Sequence, residues 1–192
     1  MLSKNFSIND DYKVLLFVKQ SFYAETYRVK GNDGKLYFLK LFNFSQLHKS
    51  AFDDDNNILE IELVKSIQHP NLVTYKDSGE VVIENKKYAY LVLNFIAGET
   101  LSEKIIREKY KSLYDIKSII IEILEGLKYL HQQANPIIHN EITLQNVMLD
   151  LAQGNPKTKI IDFGYAREFH QSSKVFNKEG LNPNFLATEC FH

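Results

Sequence analysis

The sequence predicts an α+β fold, in which a five-stranded antiparallel sheet with one main helix is followed by a helical region. Three observations predict it. Apolar β-like runs punctuated by turn signals fill residues 12–42 and 72–94; one stretch of helical periodicity, 53–68, separates them; and after Ala97-Gly98 the pattern turns helical over 101–133. With 192 residues, 44% hydrophobic and 24% charged, the chain is one globular domain long enough to bury a core.

Taken in order, the first β-like run is Tyr12 to Val18 and the second is Glu25 to Val29. Gly31-Asn32-Asp33-Gly34 is a strong turn signal leading into a third, Lys35 to Phe42. Three antiparallel strands need a cover on one face, and the helix expected from Asp53 to Gln68 supplies it. Asp53, Asp54 and Asp55 stand at its start, where the helix dipole favours negative charge. Ile61, Val64 and Ile67 recur at helical spacing with Glu60 beside them, and His69-Pro70-Asn71 ends the helix. Strands are expected over Leu72–Ile83 and Tyr88–Asn94, around the polar turn Glu84-Asn85-Lys86. Leu101 to Glu108 reads as a short helix. Leu113 to Gln133 is the clearest helix, with Leu113, Ile116, Ile120, Ile123, Leu127 and Leu130 as its apolar stripe.

Charge and cysteine usage exclude several classes of function. A net charge of −1 leaves no basic footprint for nucleic acid. The single cysteine, Cys190, cannot close an intrachain disulfide, which favours a reducing compartment. No apolar stretch at the N-terminus has signal-peptide length, and the most apolar run, Ile119 to Leu124, is broken by Glu122. The expectation is a cytoplasmic protein with neither a nucleic-acid nor a membrane partner.

The chemistry concentrates between His139 and Gly164. There H-N-E-I-T-L-Q-N-V-M-L-D, a polar loop and K-I-I-D-F-G place Glu141, Asn146 and Asp162 around a hairpin turned by Gly154-Asn155-Pro156. This is one possible general base and two hard oxygen ligands. Such a set suits Mg²⁺ with a phosphate chain, because Mg²⁺ takes few protein oxygens and leaves other positions to water and phosphate.

At this spacing the residues resemble the catalytic and metal-binding loops of the protein kinase family, and the resemblance extends from about Tyr12 to Glu189. It implies a bilobal fold, with an N-lobe over 12–96 and a partial helical C-lobe over 97–192 that ends just after the A-T-E segment. Tyr37-Phe38-Leu39-Lys40 takes the place of the strand ending in the ATP-binding lysine, and Glu60 that of the helix glutamate pairing with it. Leu93-Asn94-Phe95-Ile96 resembles the hinge, with Leu93 as gatekeeper and Asn94 and Ile96 beside adenine. Val18, Thr26, Phe38 and Met148 complete the implied nucleotide lining. The resemblance assigns Glu141 to the hydroxyl proton, Asn146 and Asp162 to Mg²⁺, and His139 to packing with Phe163, Val64 and Tyr75. The implied cofactors are ATP and Mg²⁺, and the implied partner is a protein substrate or regulator.

Departures from the family pattern bear on competence. Glu141 stands for an aspartate, Thr143 for a lysine and Asn140 for the arginine that reads an activation-segment phosphate. Lys19, Ser21 and Ala24 take three glycine positions in the loop that covers the nucleotide, and Phe38 takes the place of a small alanine. Ser172 and Ser173 fall in the activation segment. Asn182 to Glu189 resembles the segment ending in A-P-E, with Thr188 for proline, and the chain stops three residues later. The expectation is a C-terminally truncated domain, whose missing helices or another chain cover the lower face of Leu113–Gln133. The function read from this is a divergent protein kinase. The alternatives are a pseudokinase acting as a nucleotide-binding or scaffolding module, and a small-molecule kinase of the aminoglycoside-phosphotransferase kind. The D-F-G and H-P-N segments favour the protein kinase branch over the last.

Overall fold

The computed structural model describes residues 1–107, 113–152 and 154–169, and the side chains of 113 and 114 are not among those described. Ser172, Ser173, the A-T-E segment and Cys190 lie outside the described residues. The chain divides into two compact units, one of Met1–Ile61 with Thr74–Phe95 and one of Glu62–Val73 with Ile96–His192.

The first unit is an antiparallel sheet of six strands in the order β1-β2-β3-β4-β6-β5. Its strands are β1 (Ser7–Ile8), β2 (Tyr12–Gln20), β3 (Ala24–Gly31), β4 (Leu36–Asn43), β5 (Tyr75–Ile83) and β6 (Lys86–Asn94). Five are the strands expected, and the two-residue β1 is an addition. Turn chemistry sets the register. The β3–β4 turn closes through the Gly34 N–H to Gly31 O bond (2.9 Å), with Gly34 at φ 79°. Glu84 and Asn85, with φ of 48° and 60°, form a two-residue turn between the paired Ile83 and Lys86.

One face of this sheet is a closed apolar core built on Tyr12, Val14, Tyr27, Val29, Tyr37, Leu39, Leu41, Tyr90 and Val92. Its cover is the N-terminal segment, whose Leu2, Phe6 and Ile8 pack onto it. The Asn5 N–H donates to Val14 O at 2.8 Å and the Leu2 N–H to the Tyr27 hydroxyl at 2.7 Å. This closure is built from the chain's first eight residues, a segment with no periodic signal. The helix α1 runs over Leu59–Ser66, six residues shorter at its start than expected. Asp53 accounts for the difference: its carboxylate accepts the N–H groups of Asp55 (3.0 Å) and Asn57 (2.8 Å), which fixes a loop in place of a first helical turn.

The second unit holds β7 (Gly98–Thr100), α2 (Leu101–Arg107), α3 (Leu113–His131), β8 (Ile137–Ile138), β9 (Val147–Asp150), β10 (Lys157–Ile160) and β11 (Arg167–Glu168). Thr100 and Glu103 make a reciprocal capping box at the start of α2, with the Glu103 N–H on Thr100 Oγ1 and the Thr100 N–H on Glu103 Oε2. The small sheet β10-β9-β7 depends on Gly98, because a Cβ there would lie 1.7 Å from Leu149 O.

Helix α3 buries a different stripe from the one expected. Ile119 and Ile123 pack on Leu101, Val147 and Leu149, and Leu130 is fully buried, while Ile116 and Ile120 are exposed with Ile121 and Leu124. Gly126 lets α3 approach residues 71–72 and β10, since a Cβ would meet Ile160 Cδ1 at 3.2 Å and Leu72 Cδ2 at 3.3 Å. Glu122, the charge inside the apolar run, caps the edge of β10 by accepting the Thr158 N–H at 2.6 Å and the Lys157 ammonium at 3.2 Å. Burial pushes its carboxyl up, and these donors outweigh burial and hold it below the usual carboxylate range. Among the described residues no helix is long and apolar enough to cross a membrane.

Candidate active site

In the first unit, strand alternation sends Phe38, Lys40 and Phe42 to the sheet face opposite the closed core. Lys40 is 7% and Glu60 5% exposed, so neither charge is solvated on its own. The Lys40 ammonium donates to both Glu60 carboxylate oxygens at 2.8 Å. Its Nζ also lies 5.6 Å from the Tyr23 ring centre and 5.5 Å from that of Phe42. The pairing expected from sequence is therefore formed, and the two rings are additions to it. An aromatic residue in the loop before β3 was the available signal for Tyr23.

That loop differs from a glycine-rich one in how it is held. The Ser21 N–H donates to Ala24 O at 2.8 Å, while Ser21 Oγ bonds both the Ala24 N–H and Ala24 O at 3.2 Å. None of Lys19, Ser21 and Ala24 has a positive φ, so the backbone here needs no glycine. Phe22 at the tip is 88% exposed. Thr26 is paired across the sheet with Lys40, and Phe38 with Leu93. Phe38 leans on Phe95 with ring centres 5.1 Å apart. Val18 is exposed, and the Asn94 N–H is committed to Thr74 O at 2.9 Å.

In the second unit, the loop from His139 to Asn146 is held by neutral side chains bonded to backbone. His139 is 1% exposed. Its Nδ1 accepts the Glu141 N–H at 3.3 Å, which leaves Nε2 to carry the proton toward Ile161 O at 3.1 Å. Burial pushes its pKa down to about 4, against the opposing pull of Ile161 O and Asp162, so the ring is a neutral strut. Phe163 is fully buried and packs edge-on against His139 at 4.8 Å.

Asn146 is buried, and its Nδ2 donates to Glu141 O at 3.1 Å and to Glu141 Oε2 at 3.0 Å. Both partners are acceptors, which fixes the amide so that Oδ1 faces away from Glu141. The loop is tied to the following strand by the Ile161 N–H on Asn146 O at 2.9 Å. Asn140 and Asp162 take left-handed backbone, φ 64° and 65°, which asparagine and aspartate tolerate best among residues with a Cβ. The Asn140 amide donates to Tyr165 O at 3.0 Å, and Thr143 Oγ1 accepts the Asn146 N–H at 3.3 Å. Read from sequence, both positions are lost cations; in the structure they are loop-forming groups, and Thr-x-x-Asn spacing was the signal for the second. Met148 is buried in β9, opposite Lys159 and Thr100, and Ile96 is also buried.

The donors fit Mg²⁺. One amide oxygen and one carboxylate are hard ligands, and Mg²⁺ bound with a nucleotide draws its other oxygens from phosphate and water. Among the described residues no group of three His, Cys, Asp or Glu side chains is placed to hold an ion.

A family model for the protein kinase domain matches residues 21–192. Ribosomal protein S6 kinase 2 alpha of Gallus gallus is 32% identical over 137 residues, 71% of this chain and 17% of that protein. Ribosomal protein S6 kinase alpha-3 of Homo sapiens is 32% identical over 132 residues, 68% of this chain and 17% of that protein. Ribosomal protein S6 kinase alpha-1 of Homo sapiens is 29% identical over 188 residues, 97% of this chain and 24% of that protein. The chain thus spans about a fifth of the length of these relatives. With its residues 21–192 matched, this chain belongs to the protein kinase family.

Proposed function

We propose that this protein is a catalytically active, divergent kinase that transfers the γ-phosphoryl group of Mg·ATP to a hydroxyl of a protein substrate, in the cytoplasm. The observation that carries the reading is the Asn146 amide, which donates to Glu141 O and Oε2 and so turns its own oxygen outward. Lys40, held by both oxygens of Glu60, contacts the phosphates. Asn146 and Asp162 hold Mg²⁺, which when bound neutralises charge on the phosphate oxygens. Val18, Thr26, Phe38, Leu93, Asn94, Ile96 and Met148 line the nucleotide. The substrate oxygen attacks the γ-phosphorus, the bond from that phosphorus to the β–γ bridging oxygen breaks, and ADP leaves with its electron pair. Glu141 orients the hydroxyl and takes its proton.

In the full-length protein, transfer from labelled ATP falls by about 10²-fold or more in Glu141→Ala, the range for loss of a general base. It falls by about 10²–10³-fold in Asp162→Ala, the range for losing one transition-state charge contact. Unchanged incorporation in both variants rules out this site. The bulky Phe38 and the glycine-free loop favour a second reading, a pseudokinase that binds nucleotide or partners without turnover. A Mg·ATP thermal-shift titration with a turnover assay separates the two: binding without turnover supports the pseudokinase, and turnover ends it.

A further inference from the structure

At the strand ends of the first unit's sheet lies an open groove of about 470 Å³, lined by Lys35, Tyr37, Tyr75, Lys76, Asn94 and Phe95. It forms where β4 and β5 begin and β6 ends, with Tyr37 paired to Asn94 and Tyr75 to Leu93. Tyr37 belongs to the core face of β4 and so points away from Lys40. Both lysines are exposed, and the Tyr75 and Phe95 rings are half-buried.

Lys76 is aimed at this groove by a break in the ladder. Tyr75 pairs with Leu93 and Asp77 with Val92, so Lys76 is the extra residue of a β-bulge. A regular strand would send residue 76 to the face opposite Asp77, whose carboxylate accepts the hydroxyl of the core Tyr12 at 2.8 Å. At the bulge, Lys76 instead carries its ammonium to 5.6 Å from the Tyr37 ring centre. Asp33 and Asp77 stand beside the groove with their oxygens engaged elsewhere. Asp33 accepts the Tyr37 hydroxyl at 2.5 Å and the Lys35 N–H at 3.0 Å. Asp77 holds the Tyr12 hydroxyl and the Ser78 N–H, the latter at 2.8 Å. These carboxylates offset part of the field, but neither ammonium has a salt-bridge partner among the described residues. Two unbonded cations above aromatic walls, with no acid in the lining, suit an anion that also brings apolar surface.

We infer that this groove is a docking site for an acidic segment of a protein partner, in which carboxylates flank an aromatic residue. The carboxylates meet Lys35 and Lys76, and the aromatic ring packs against Tyr75 and Phe95. Charge complementarity selects the segment and speeds its encounter, while the ring supplies the apolar contact that two exposed ion pairs alone would lack. Tyr37, fixed by its bond to Asp33, is the rigid floor. The inference is independent of the nucleotide reading, because neither lysine belongs to the set proposed for ATP and Mg²⁺.

The experiment is fluorescence anisotropy at low salt with three labelled, end-capped peptides: D-E-F-E-D, its neutral counterpart N-Q-F-Q-N, and D-E-A-E-D. The proteins are wild type, Lys76→Gln, and Lys35→Gln combined with Lys76→Gln, with unfolding curves to confirm that each is folded. An exposed ion pair is worth up to about fivefold in affinity. Lys76→Gln should therefore weaken D-E-F-E-D by about threefold and the double variant by about tenfold, with N-Q-F-Q-N as weak on wild type as D-E-F-E-D on the double variant. Losing the aromatic contact in D-E-A-E-D should cost about threefold to tenfold. Saturating Mg·ATP should leave D-E-F-E-D bound. The inference is overturned if none of the peptides binds, if the neutral peptide binds as tightly as the acidic one, or if the double variant matches wild type. It is also overturned if Mg·ATP displaces the peptide, which would then sit at the nucleotide site. Equal binding of D-E-A-E-D and D-E-F-E-D overturns it as well, since the groove would then hold an anion and no aromatic residue.

Discussion

The two units preorganise their functional side chains by different means. The first holds a full positive and a full negative charge together out of water, with both carboxylate oxygens of Glu60 at 2.8 Å from Lys40 Nζ. The second holds its loop with neutral groups: the His139 ring, the Asn140 and Asn146 amides and the Thr143 hydroxyl, each bonded to backbone. A buried charge is tolerated only while its partner is present, whereas a buried amide that loses its partner strands only a dipole. The first unit should therefore be brittle toward single substitutions and tolerant of paired ones. The second should lose stability in smaller steps.

The largest expected effect tests that contrast directly. Lys40→Met removes the ammonium that both Glu60 oxygens bind, and should cost about 3–5 kcal/mol of unfolding free energy by urea titration. Lys40→Met combined with Glu60→Leu should recover most of the loss while abolishing Mg·ATP binding. Asn140→Ala, which removes the bond to Tyr165 O, should cost about 1–3 kcal/mol. A Lys40→Met variant no less stable than Asn140→Ala would break the comparison.

His139 gives the neutral frame a pH signature of its own. Its folded pKa is pushed down to about 4 by burial, against an ordinary histidine value of 6.5, so between those values the unfolded chain binds a proton that the folded chain does not. Unfolding free energy therefore rises with pH across that window. The contribution is complete above pH 6.5 and is lost as pH falls toward 4. Integration over the step from pH 7 to pH 5 gives about 2 kcal/mol. His139→Phe should be less stable at pH 7 yet lack this part of the slope. Parallel stability–pH curves for wild type and variant would show that the ring is not buried neutral.

How far the sequence was legible follows from what each residue's signal depends on. The strands of the first unit could be read because turn residues and apolar runs are local, and the Gly31–Gly34 and Glu84–Asn85 turns set the register they announce. The start of α1 could not, because three aspartates suit a helix N-terminus and an Asx loop equally, and the Asp53 carboxylate chose the loop. The buried side of α3 was ambiguous for another reason. Ile116, Ile119, Ile120, Ile121, Ile123 and Leu124 are apolar almost all round the helix, so periodicity alone cannot choose a face, and packing of Ile119 and Ile123 on β9 decides it. In the site, spacing brought Lys40 to Glu60 and Glu141 to Asn146 because each pair belongs to a fixed motif. The roles of Asn140 and Thr143 stayed hidden, since a family pattern shows which side chain is absent from a position and not what the new one bonds.

The smallest expected effect concerns the loop that joins β2 to β3, where the first unit departs furthest from its family. If this loop needed glycine's backbone freedom, restoring glycine would stabilise it. The structure argues the reverse: no residue at a family glycine position has a positive φ, and Ser21 Oγ bonds both the N–H and the O of Ala24. Ser21→Gly removes those bonds, about 1 kcal/mol, and adds backbone entropy to the unfolded chain, about 0.5–1 kcal/mol. Together they should lower the unfolding free energy by about 1–2 kcal/mol, with Ser21→Ala costing only the first part. Urea titration of the two variants measures both. If Ser21→Gly matches or exceeds wild type, the loop is not held by its serine.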